Sequence, residues 1–483
     1  MNLDSIKAIF FTGNNYFEQG HFKLAEKKYL EVLDHIPDHK SSLFNLLTIY
    51  LDNNLEFDKI RNLKKYKFED YYFSKIIINS INLSTISDSI KFIEINIRNI
   101  KLNYEDNDHL LILYYLNLLY QNNNNFYKAF LLIKRFSKLK KNLSAINFVA
   151  LYYLLIGNFN KAHFFNKLLY SLNSTDKTIK KNLGYSYLYF KNFKKGFELV
   201  ENRNIYVDDD KFNLIEKLVD YKKVKNKNIL IFAEAGLGDN LHFFKFVLFL
   251  VKKIDYSNNI FFYCNRKLQN LFSNINFDHK DRIKFICSED KFEYNFDYQT
   301  SILSIPKVLN LSSTEILKFK DFKLIKKNNI PILKKNMKKN VGVCYSGNKS
   351  YKNDRFRSME FNIFKKLLNY NGNYHYFVLQ QINDSASLQF DLKNFSYLGN
   401  EEFEVLPYIL KQMDFVITTD TSIAHLCGIL NVTTYLLLSK NAEWRWFDDN
   451  HISSWYPSVQ ILKQKKLNDW SSCSDYLKDK VLI

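Results

Sequence analysis

Apolar positions in the first two hundred residues recur at the spacing of amphipathic helices, and this pattern repeats about every 34 residues. Each unit carries an aromatic residue three positions before a small residue. The matching pairs are Phe22 with Ala25, Phe126 with Ala129, Phe159 with Ala162, and Phe193 with Gly196. One helix pair cannot bury its own apolar face, so successive pairs have to stack. We therefore predict a solenoid of helical repeats over residues 1–205.

The first repeat also has the small and aromatic positions of a tetratricopeptide repeat (TPR). These positions are Gly13, Tyr16, Gly20, Tyr29 and Pro37. The last repeat has Gly184 and Tyr187 at the first two of these offsets, and between residues 40 and 110 only Phe57 and Ile60 keep the register. Such an array indicates a surface that recruits a partner, without chemistry of its own. A non-repetitive helical bundle is the alternative.

Short apolar runs alternate with helical segments in the second half of the chain. The runs cover residues 229–232, 260–263, 283–286, 341–345, 376–379, 415–418 and 435–438. This alternation indicates parallel sheets joined by crossover helices. A basic segment at 334–340, shortly after Pro331, divides the runs into two groups. We predict an α + α/β chain whose two Rossmann-like lobes cover residues 206–335 and 336–483.

The formal net charge of +19 suits an anionic partner. Lysines and arginines are dispersed along the chain, however, and no nucleic-acid-binding motif accompanies them. We expect no nucleic-acid partner and keep a nucleic-acid binder only as a minor alternative. A nucleotide sugar is an anion that fits a basic protein equally well.

The cysteines show no metal-ligand spacing, which favours buried, reduced thiols. They are Cys264, Cys287, Cys344, Cys427 and Cys473. The N-terminal residues lack a signal-peptide pattern, and no apolar run approaches the ~20 residues of a membrane span. We expect a cytoplasmic protein without an integral membrane segment.

Polar loops after strands are the places where open α/β sheets bind ligands. The first such loop contains Glu234, Gly236, Gly238 and Asp239. Its glycines permit a tight turn and a close approach of a ligand to the backbone, ahead of a helix expected near Asn240. A purely structural turn with Asp239 as the helix cap is the alternative. His242, in the same helix, either faces the cleft or packs.

The second loop follows the run at 341–345 and carries Asn348, Arg355 and Arg357. Guanidinium groups bind phosphate or carboxylate through two parallel hydrogen bonds, so two arginines at a strand end indicate an anion site. A solvated loop with surface ion pairs explains the same residues without a ligand.

The third loop contains Asp420, Thr421, Ser422 and His425, where a strand ends and a helix begins near Ser422. Hydroxyls and free backbone N–H groups at a helix start form a pocket suited to a diphosphate. Taken alone, Asp420 could cap the helix and His425 could be a buried packing residue.

These three loops, in this order, resemble the heptosyltransferases (glycosyltransferase family nine) and their TPR-fused bacterial relatives. Gly238-Asp239-x-Leu241-His242 and Asp420-Thr421-x-x-x-His425 carry the resemblance to the heptosyltransferases. Leu379-Gln380 and Trp444-Arg445-Trp446 add matches to the TPR-fused relatives. The similarity covers about residues 228–480.

The resemblance implies a GT-B fold, with a nucleotide-diphosphate sugar bound in the C-terminal lobe and the acceptor against the N-terminal lobe. It implies Asp239 as the general base and Asp420, Thr421 and Ser422 as donor-binding residues. Arg355 and Arg357 would neutralise the departing nucleotide in place of a metal, and no cofactor is implied. Supporting or acceptor-side residues would be Glu234, Gly236, Gly238, His242, Asn348, Gln380, His425 and Trp444, with His425 behind its loop.

We therefore predict a metal-independent, inverting glycosyltransferase that modifies a protein or surface-glycan acceptor recruited by the repeats. The alternative is a non-catalytic TPR scaffold with a degenerate or sugar-sensing GT-B domain. The aspartates 208–210 superficially offer a metal-binding D-x-D motif, but no strand pattern follows them. The sugar, the nucleotide base and the acceptor stay open.

Overall fold

The structure is a computed structural model that divides into two compact units, Met1–Tyr152 and Tyr153–Ile483. It describes residues 3–52, 116, 128, 131, 143–205, 212 and 214–483, apart from gaps at 291–293, 328–329, 331, 334–337, 350, 352–353, 369–372, 382–393, 400 and 450. The predictions on Phe57, Ile60, Phe126, Ala129, Pro331, the 208–210 aspartates and residues 334–337 lie outside the described residues. The predicted domain boundaries near 205 and 335 stay predictions.

Helices α1 (Leu3–Glu18), α2 (Phe22–His35) and α3 (Lys40–Asp52) form the start of the first unit, and α4 (Leu143–Leu155) spans the division between the units. The contact between α1 and α2 depends on a small residue. A Cβ atom on Gly13 would lie 2.8 Å from the Tyr29 ring. Glycine at this position therefore lets the buried tyrosine lie against α1.

The second unit begins with further repeat helices, α5 (Phe159–Leu172), α6 (Lys177–Tyr189) and α7 (Phe193–Val200). The aromatic residue of each described repeat opens a helix, and the small residue three positions later is buried. These pairs are Phe22 with Ala25, Phe159 with Ala162, and Phe193 with Gly196. Asn158 and Asn192 cap α5 and α7 by accepting backbone N–H bonds. The predicted helix pairs are thus confirmed locally, although much of the array lies outside the described residues.

The described residues of the first half of the α/β region form the strands β1 (Glu216–Lys217), β2 (Asn228–Phe232), β3 (Asn259–Cys264), β4 (Ile275–Asn276), β5 (Ile283–Cys287), β6 (Tyr298–Ser301) and β7 (Lys323–Leu324). Five form a parallel sheet in the order β1-β6-β2-β3-β5, and β4 pairs with β7. The helices are α8 (Leu237–Lys253), α9 (Arg266–Ser273), α10 (Ile305–Val308) and α11 (Ser313–Leu317), with 3₁₀ turns at Tyr221–Lys223, Lys280–Arg282 and Ile302–Ser304.

Six more strands form a second parallel sheet in the order β10-β9-β8-β11-β12-β13. They are β8 (Lys339–Cys344), β9 (Tyr374–Val378), β10 (Phe395–Tyr397), β11 (Phe415–Thr419), β12 (Thr434–Leu438) and β13 (Val459–Lys463). The helices are α12 (Asp354–Arg357), α13 (Phe361–Leu367), α14 (Leu406–Leu410), α15 (Ser422–Ile429) and α16 (Ser471–Lys480), and Trp444–Trp446 form a 3₁₀ turn. The prediction of a mixed helical and parallel-sheet chain is confirmed.

In each parallel sheet, the order in which successive strands are added changes from one side of a central strand to the other. After β2 it proceeds to β3 and β5 and then returns to β6 on the other side, and after β8 it proceeds to β9 and β10 before returning to β11. Ligands of parallel α/β sheets bind at such switch points, beyond the carboxyl ends of the strands. The loops after β2, β8 and β11 therefore lie where a ligand is expected.

One apolar core joins the two sheets. It includes Ile229 and Ile231 of β2, Val416 of β11 and Leu436 of β12, with α8 and α15 packed against each other between the sheets. Helix α8 is buried along most of its length, in agreement with the continuous apolar run at residues 246–251. Among the residues that the structure describes, no helix combines the length and the apolar character needed to cross a membrane.

We expect Gly184→Ala to destabilise the protein by about 1–3 kcal/mol, because a new methyl group would overpack the contact between α6 and α7. A Cβ atom there would lie 2.8 Å from the backbone nitrogen of Val200, which cannot move aside like a flexible side chain. Thermal unfolding should show a lower midpoint. Thr178→Ala, at an exposed position of the same helix, is the matched control and should change stability little. An unchanged midpoint for Gly184→Ala would contradict this packing.

Candidate active site

The loop after β2 holds Asp239 at the third position of α8. Helix α8 begins at Leu237, three residues before the predicted start, and Gly236 occupies the N-cap. The Asp239 Oδ2 atom accepts the Gly236 N–H at 3.0 Å. The alternative that Asp239 is the N-cap residue is therefore wrong, and its carboxylate instead folds back over the first turn of the helix.

Gly238 brings this loop against the loop after β11. A Cβ atom on Gly238 would lie 2.9 Å from the His425 ring and 3.5 Å from the Ser422 Cα atom. Glycine is therefore needed for the close approach of the α8 and α15 starts. The two glycine- and hydroxyl-rich loops that the sequence identified separately form one continuous wall.

The loop after β11 ends in the N-terminus of α15. Thr421 is the N-cap residue and α15 begins at Ser422, as predicted, whereas Asp420 precedes the cap. The Thr421 hydroxyl lies 3.2 Å from the Thr418 hydroxyl, in a largely buried position. Asp420 and Ser422 face the cavity described below.

The loop after β8 positions Arg357 but not Arg355 at this wall. Arg357 donates to the Asp420 carbonyl oxygen at 2.7 Å and to the Asp354 carboxylate at 3.0 Å. Arg355 is exposed, lies over the Phe356 ring and does not line the cavity. The structure thus separates the two arginines that the sequence grouped together.

Arg445 connects the two sheets electrostatically. Its guanidinium donates to the Asp239 carboxylate on one side and to the Glu443 carboxylate on the other. Burial opposes its charge, but Asp239 and Glu443 more than offset that effect, so the pKa of Arg445 is raised. The Trp455 indole donates to the Arg445 carbonyl oxygen and fixes the backbone.

Sequence reasoning did not identify Arg445 and Glu443 as site residues. The available signal was a charged residue between Trp444 and Trp446, because an arginine flanked by large buried aromatics needs an acidic partner nearby. The sequence gives no indication of which carboxylate this partner is. Asp239 lies 206 positions earlier in the chain.

A cavity of about 1510 Å³ lies where these loops meet. It brings together most of the predicted site residues and adds Glu443 and Arg445. The predicted residues in its wall are Gly236, Gly238, Asp239, Asn348, Arg357, Gln380, Asp420, Thr421, Ser422 and His425. Gln380 also accepts the Ser346 N–H at 2.9 Å, which fixes the loop after β8. His425 was expected behind its loop, and the structure places it in the wall itself.

Asp239 and Asp420, which both line the cavity, have raised pKa values. Burial raises the pKa of Asp239, and Arg445 opposes this shift only partly. Burial also raises the pKa of Asp420 to about 6, with Glu443 adding to the effect and Arg357 opposing it. Two guanidinium groups therefore share a confined space with carboxylates that hold protons more readily than usual.

Three further predicted residues support the wall from outside it. Glu234 forms a buried ion pair with Arg203, which follows α7, at 2.6 Å. His242 lies 2.7 Å from the Tyr456 hydroxyl, and Trp444 is buried in the apolar core. The Glu234 pair ties the last repeat helix to the loop that carries Asp239.

No group of three or more His, Cys, Asp or Glu side chains in the described part of the chain is arranged to hold a metal ion. All five cysteines are free and buried. Metal independence remains a prediction, since the 208–210 aspartates lie outside the described residues.

Comparisons with known proteins find partial structural similarity. No protein-family model and no curated protein matches the sequence. Similar solved structures include a family-nine glycosyltransferase from Veillonella parvula, with 11% identity over 54% of this chain and 93% of that chain at a TM-score of 0.35. The E. coli heptosyltransferase WaaC has 9% identity over 53% of this chain and 100% of that chain, also at a TM-score of 0.35. A tetratricopeptide repeat protein from Parabacteroides merdae has 16% identity over 41% of this chain and 78% of that chain, at a TM-score of 0.29. At these scores we base the functional proposal on this chain's own residues.

Asp420 should make the protein more stable as the pH falls from about 7.5 to about 4.5. The folded chain binds this proton with a pKa of about 6, above the ordinary value of 3.8, so the folded state takes up the proton first. Asp420→Asn cannot titrate. The stability of the wild type relative to this variant should therefore rise on acidification, by on the order of 1 kcal/mol.

Thermal unfolding of both proteins across this pH range measures the difference. Asp278→Asn, at an exposed carboxylate, serves as the control and should leave the pH dependence unchanged. A difference between wild type and Asp420→Asn that is flat, or that shrinks towards low pH, would show that burial does not control this carboxyl group.

Proposed function

We propose that the chain is a glycosyltransferase that uses a nucleotide-diphosphate sugar as donor. The observation that carries this proposal is the shared cavity, which has Asp239 on the side of the first sheet and Arg357 with the α15 start on the side of the second. A carboxylate opposite an anion-binding wall is the arrangement that transfer from a diphosphate requires. The resemblance of the three loops to the heptosyltransferases supports the same chemistry.

The donor diphosphate would bind at the start of α15. Backbone N–H groups of Ser422 and the following residue, together with the helix dipole, favour negative charge there. Arg357 is already held by Asp354 and by the Asp420 carbonyl oxygen, so little side-chain entropy is lost when it binds an anion. Arg357 and Arg445 would supply the positive charge that stabilises the departing nucleotide without a metal.

Asp239 would act as the general base. As the acceptor oxygen forms its bond to the anomeric carbon, Asp239 takes the hydroxyl proton, and the bond from that carbon to the phosphate oxygen breaks. Attack from the face opposite the diphosphate inverts the configuration. Burial, which raises the pKa of Asp239, makes the carboxylate a stronger base, and Arg445 fixes its orientation.

The acceptor would be a protein or surface glycan recruited by the repeats. Support comes from continuity between the repeats and the cavity, since α5, α6 and α7 belong to the same compact unit as both sheets. Arg203, just after α7, also pairs with Glu234, which belongs to the loop that carries Asp239. An acceptor held along these helices would approach the cavity from the side of Asp239.

Arg357→Met should weaken binding of nucleoside diphosphates about 10- to 100-fold, because charge-assisted hydrogen bonds contribute about 1.5–3 kcal/mol. The probes are ADP, GDP, UDP and CDP, measured by calorimetry against the purified full chain. Arg355→Met is the matched control: it removes an arginine two positions away that does not line the cavity, and affinity should stay within about twofold. Equal losses in both variants would contradict the placement of the diphosphate.

Asp239→Asn should reduce turnover of the accepted nucleotide sugar about 10²- to 10⁴-fold while the protein stays folded. Release of nucleoside diphosphate from a panel of nucleotide sugars is the measurement. Asp278→Asn controls for the loss of one carboxylate at a remote surface position. Undiminished turnover in Asp239→Asn would eliminate this residue as the base. If no nucleotide binds the wild type, the non-catalytic scaffold replaces the enzyme.

A further inference from the structure

Three buried side chains form a series of hydrogen bonds that begins in the cavity wall at His425 and leads into the protein interior. The Tyr456 hydroxyl lies 3.1 Å from the Nδ1 atom of His425 and 2.7 Å from the Nδ1 atom of His242. The three residues are at most 5% exposed. His425 belongs to α15 and His242 to α8, so one hydroxyl bridges the two helices that form the wall.

Glycines make room for this chain of side chains. A Cβ atom on Gly428 would lie 2.4 Å from the Tyr456 ring, and one on Gly238 would lie 2.9 Å from Cδ2 of His425. Trp446 stacks on the His425 ring at a centroid distance of 5.0 Å. The orientation of the His425 imidazole is therefore fixed on several sides, with its Nδ1 atom towards Tyr456 and its Cδ2–Nε2 edge towards the cavity loop.

Both imidazoles are neutral at physiological pH. Burial lowers the pKa of His425 to about 3, with Arg445 and Arg357 adding to the shift. Burial also lowers the pKa of His242, as do the neighbouring His425, Lys245 and Arg445. A neutral imidazole carries one N–H proton, so each ring has one donor and one acceptor nitrogen.

The hydroxyl of Tyr456 has a single proton and can donate to only one of the two Nδ1 atoms. The other imidazole must therefore donate its own Nδ1–H to the hydroxyl oxygen. The three side chains can therefore adopt two arrangements of their protons. The two arrangements differ in which histidine carries its proton on Nε2, the nitrogen that points away from Tyr456. In the first arrangement this histidine is His425, and in the second it is His242.

The surroundings of the two ends favour the first arrangement. The Nε2 atom of His242 is buried and has no hydrogen-bond partner among the described residues. Buried N–H groups without an acceptor are rare, so this nitrogen is better left without a proton. The His425 end faces the cavity, where solvent or a ligand can accept the hydrogen bond.

We propose that Tyr456 is a positioning residue that holds His425 in the tautomer whose Nε2–H points into the cavity, where it donates to a phosphate oxygen. The proposal rests on the proposed function for the identity of the ligand. The tautomer itself does not depend on that function. His242 donates to the Tyr456 hydroxyl oxygen, and this hydroxyl in turn donates to Nδ1 of His425. A histidine of α8 therefore determines which nitrogen of His425, in α15, carries the proton.

The tautomer can be measured on the full chain without any ligand. In protein labelled with ¹⁵N-histidine, nitrogen chemical shifts distinguish the Nε2–H from the Nδ1–H form, and His425→Gln assigns the signal. We expect the Nε2–H form in the wild type and a mixture of forms in Tyr456→Phe. Tyr408→Phe removes a remote tyrosine hydroxyl that donates to the Ile325 carbonyl oxygen, and should leave the signal unchanged. An Nδ1–H form of His425 in the wild type overturns the proposal, as does an Nε2–H form that persists undiminished in Tyr456→Phe.

Nucleotide binding provides a second measurement, which distinguishes tautomer control by Tyr456 from simple packing. A glutamine amide can donate from a position close to Nε2 and needs no tautomer control. Tyr456→Phe should therefore weaken nucleoside diphosphate binding about tenfold when residue 425 is histidine, and less than about twofold in the His425→Gln background. If Tyr456→Phe lowers the affinity equally in both backgrounds, Tyr456 only packs against its neighbours and the proposal is wrong. If no diphosphate binds the wild type, the proposed function fails, while the NMR result still decides the tautomer.

Discussion

The close contact between the starts of α8 and α15 is the constraint on which the candidate site depends. Gly238 and Gly428 leave room for His425 and Tyr456, and the apolar faces of the two helices fill the space between the sheets. Because these helices follow β2 and β11, their contact also brings together the carboxyl ends of both parallel sheets. The cavity is a geometric consequence of that packing.

Charges of both signs lie close together in this cavity. Arg445 lies between Asp239 and Glu443, and Arg357 is held by Asp354 and the Asp420 carbonyl oxygen. Each guanidinium is oriented before any ligand arrives, which lowers the reorganisation needed to bind an anion. The same burial that raises the pKa of Asp239 would favour the proton transfer that we propose for it.

Regular periodicity made much of the fold predictable. The seven apolar runs of the α/β region all correspond to strands, and Phe159 and Phe193 open repeat helices as expected. The apolar runs did not include β1, β4, β6, β7, β10 or β13. Among these, β6 was missed because its residues, Tyr298–Ser301, are mostly polar although Gln299 and Thr300 are buried in the sheet. A hydrophobic pattern cannot report a strand whose polar side chains are buried through tertiary contacts.

The sequence by itself determined the kinds of element, the three loops at strand ends and ten of the residues that line the cavity, because these depend on local periodicity and on the chemistry of short motifs. Only the tertiary structure decided that Arg357 faces the cavity while Arg355 does not, that Asp239 meets Arg445, and that Tyr456 joins His242 to His425. These pairings link positions far apart in the chain. They follow from how the helices pack, which a one-dimensional pattern does not encode.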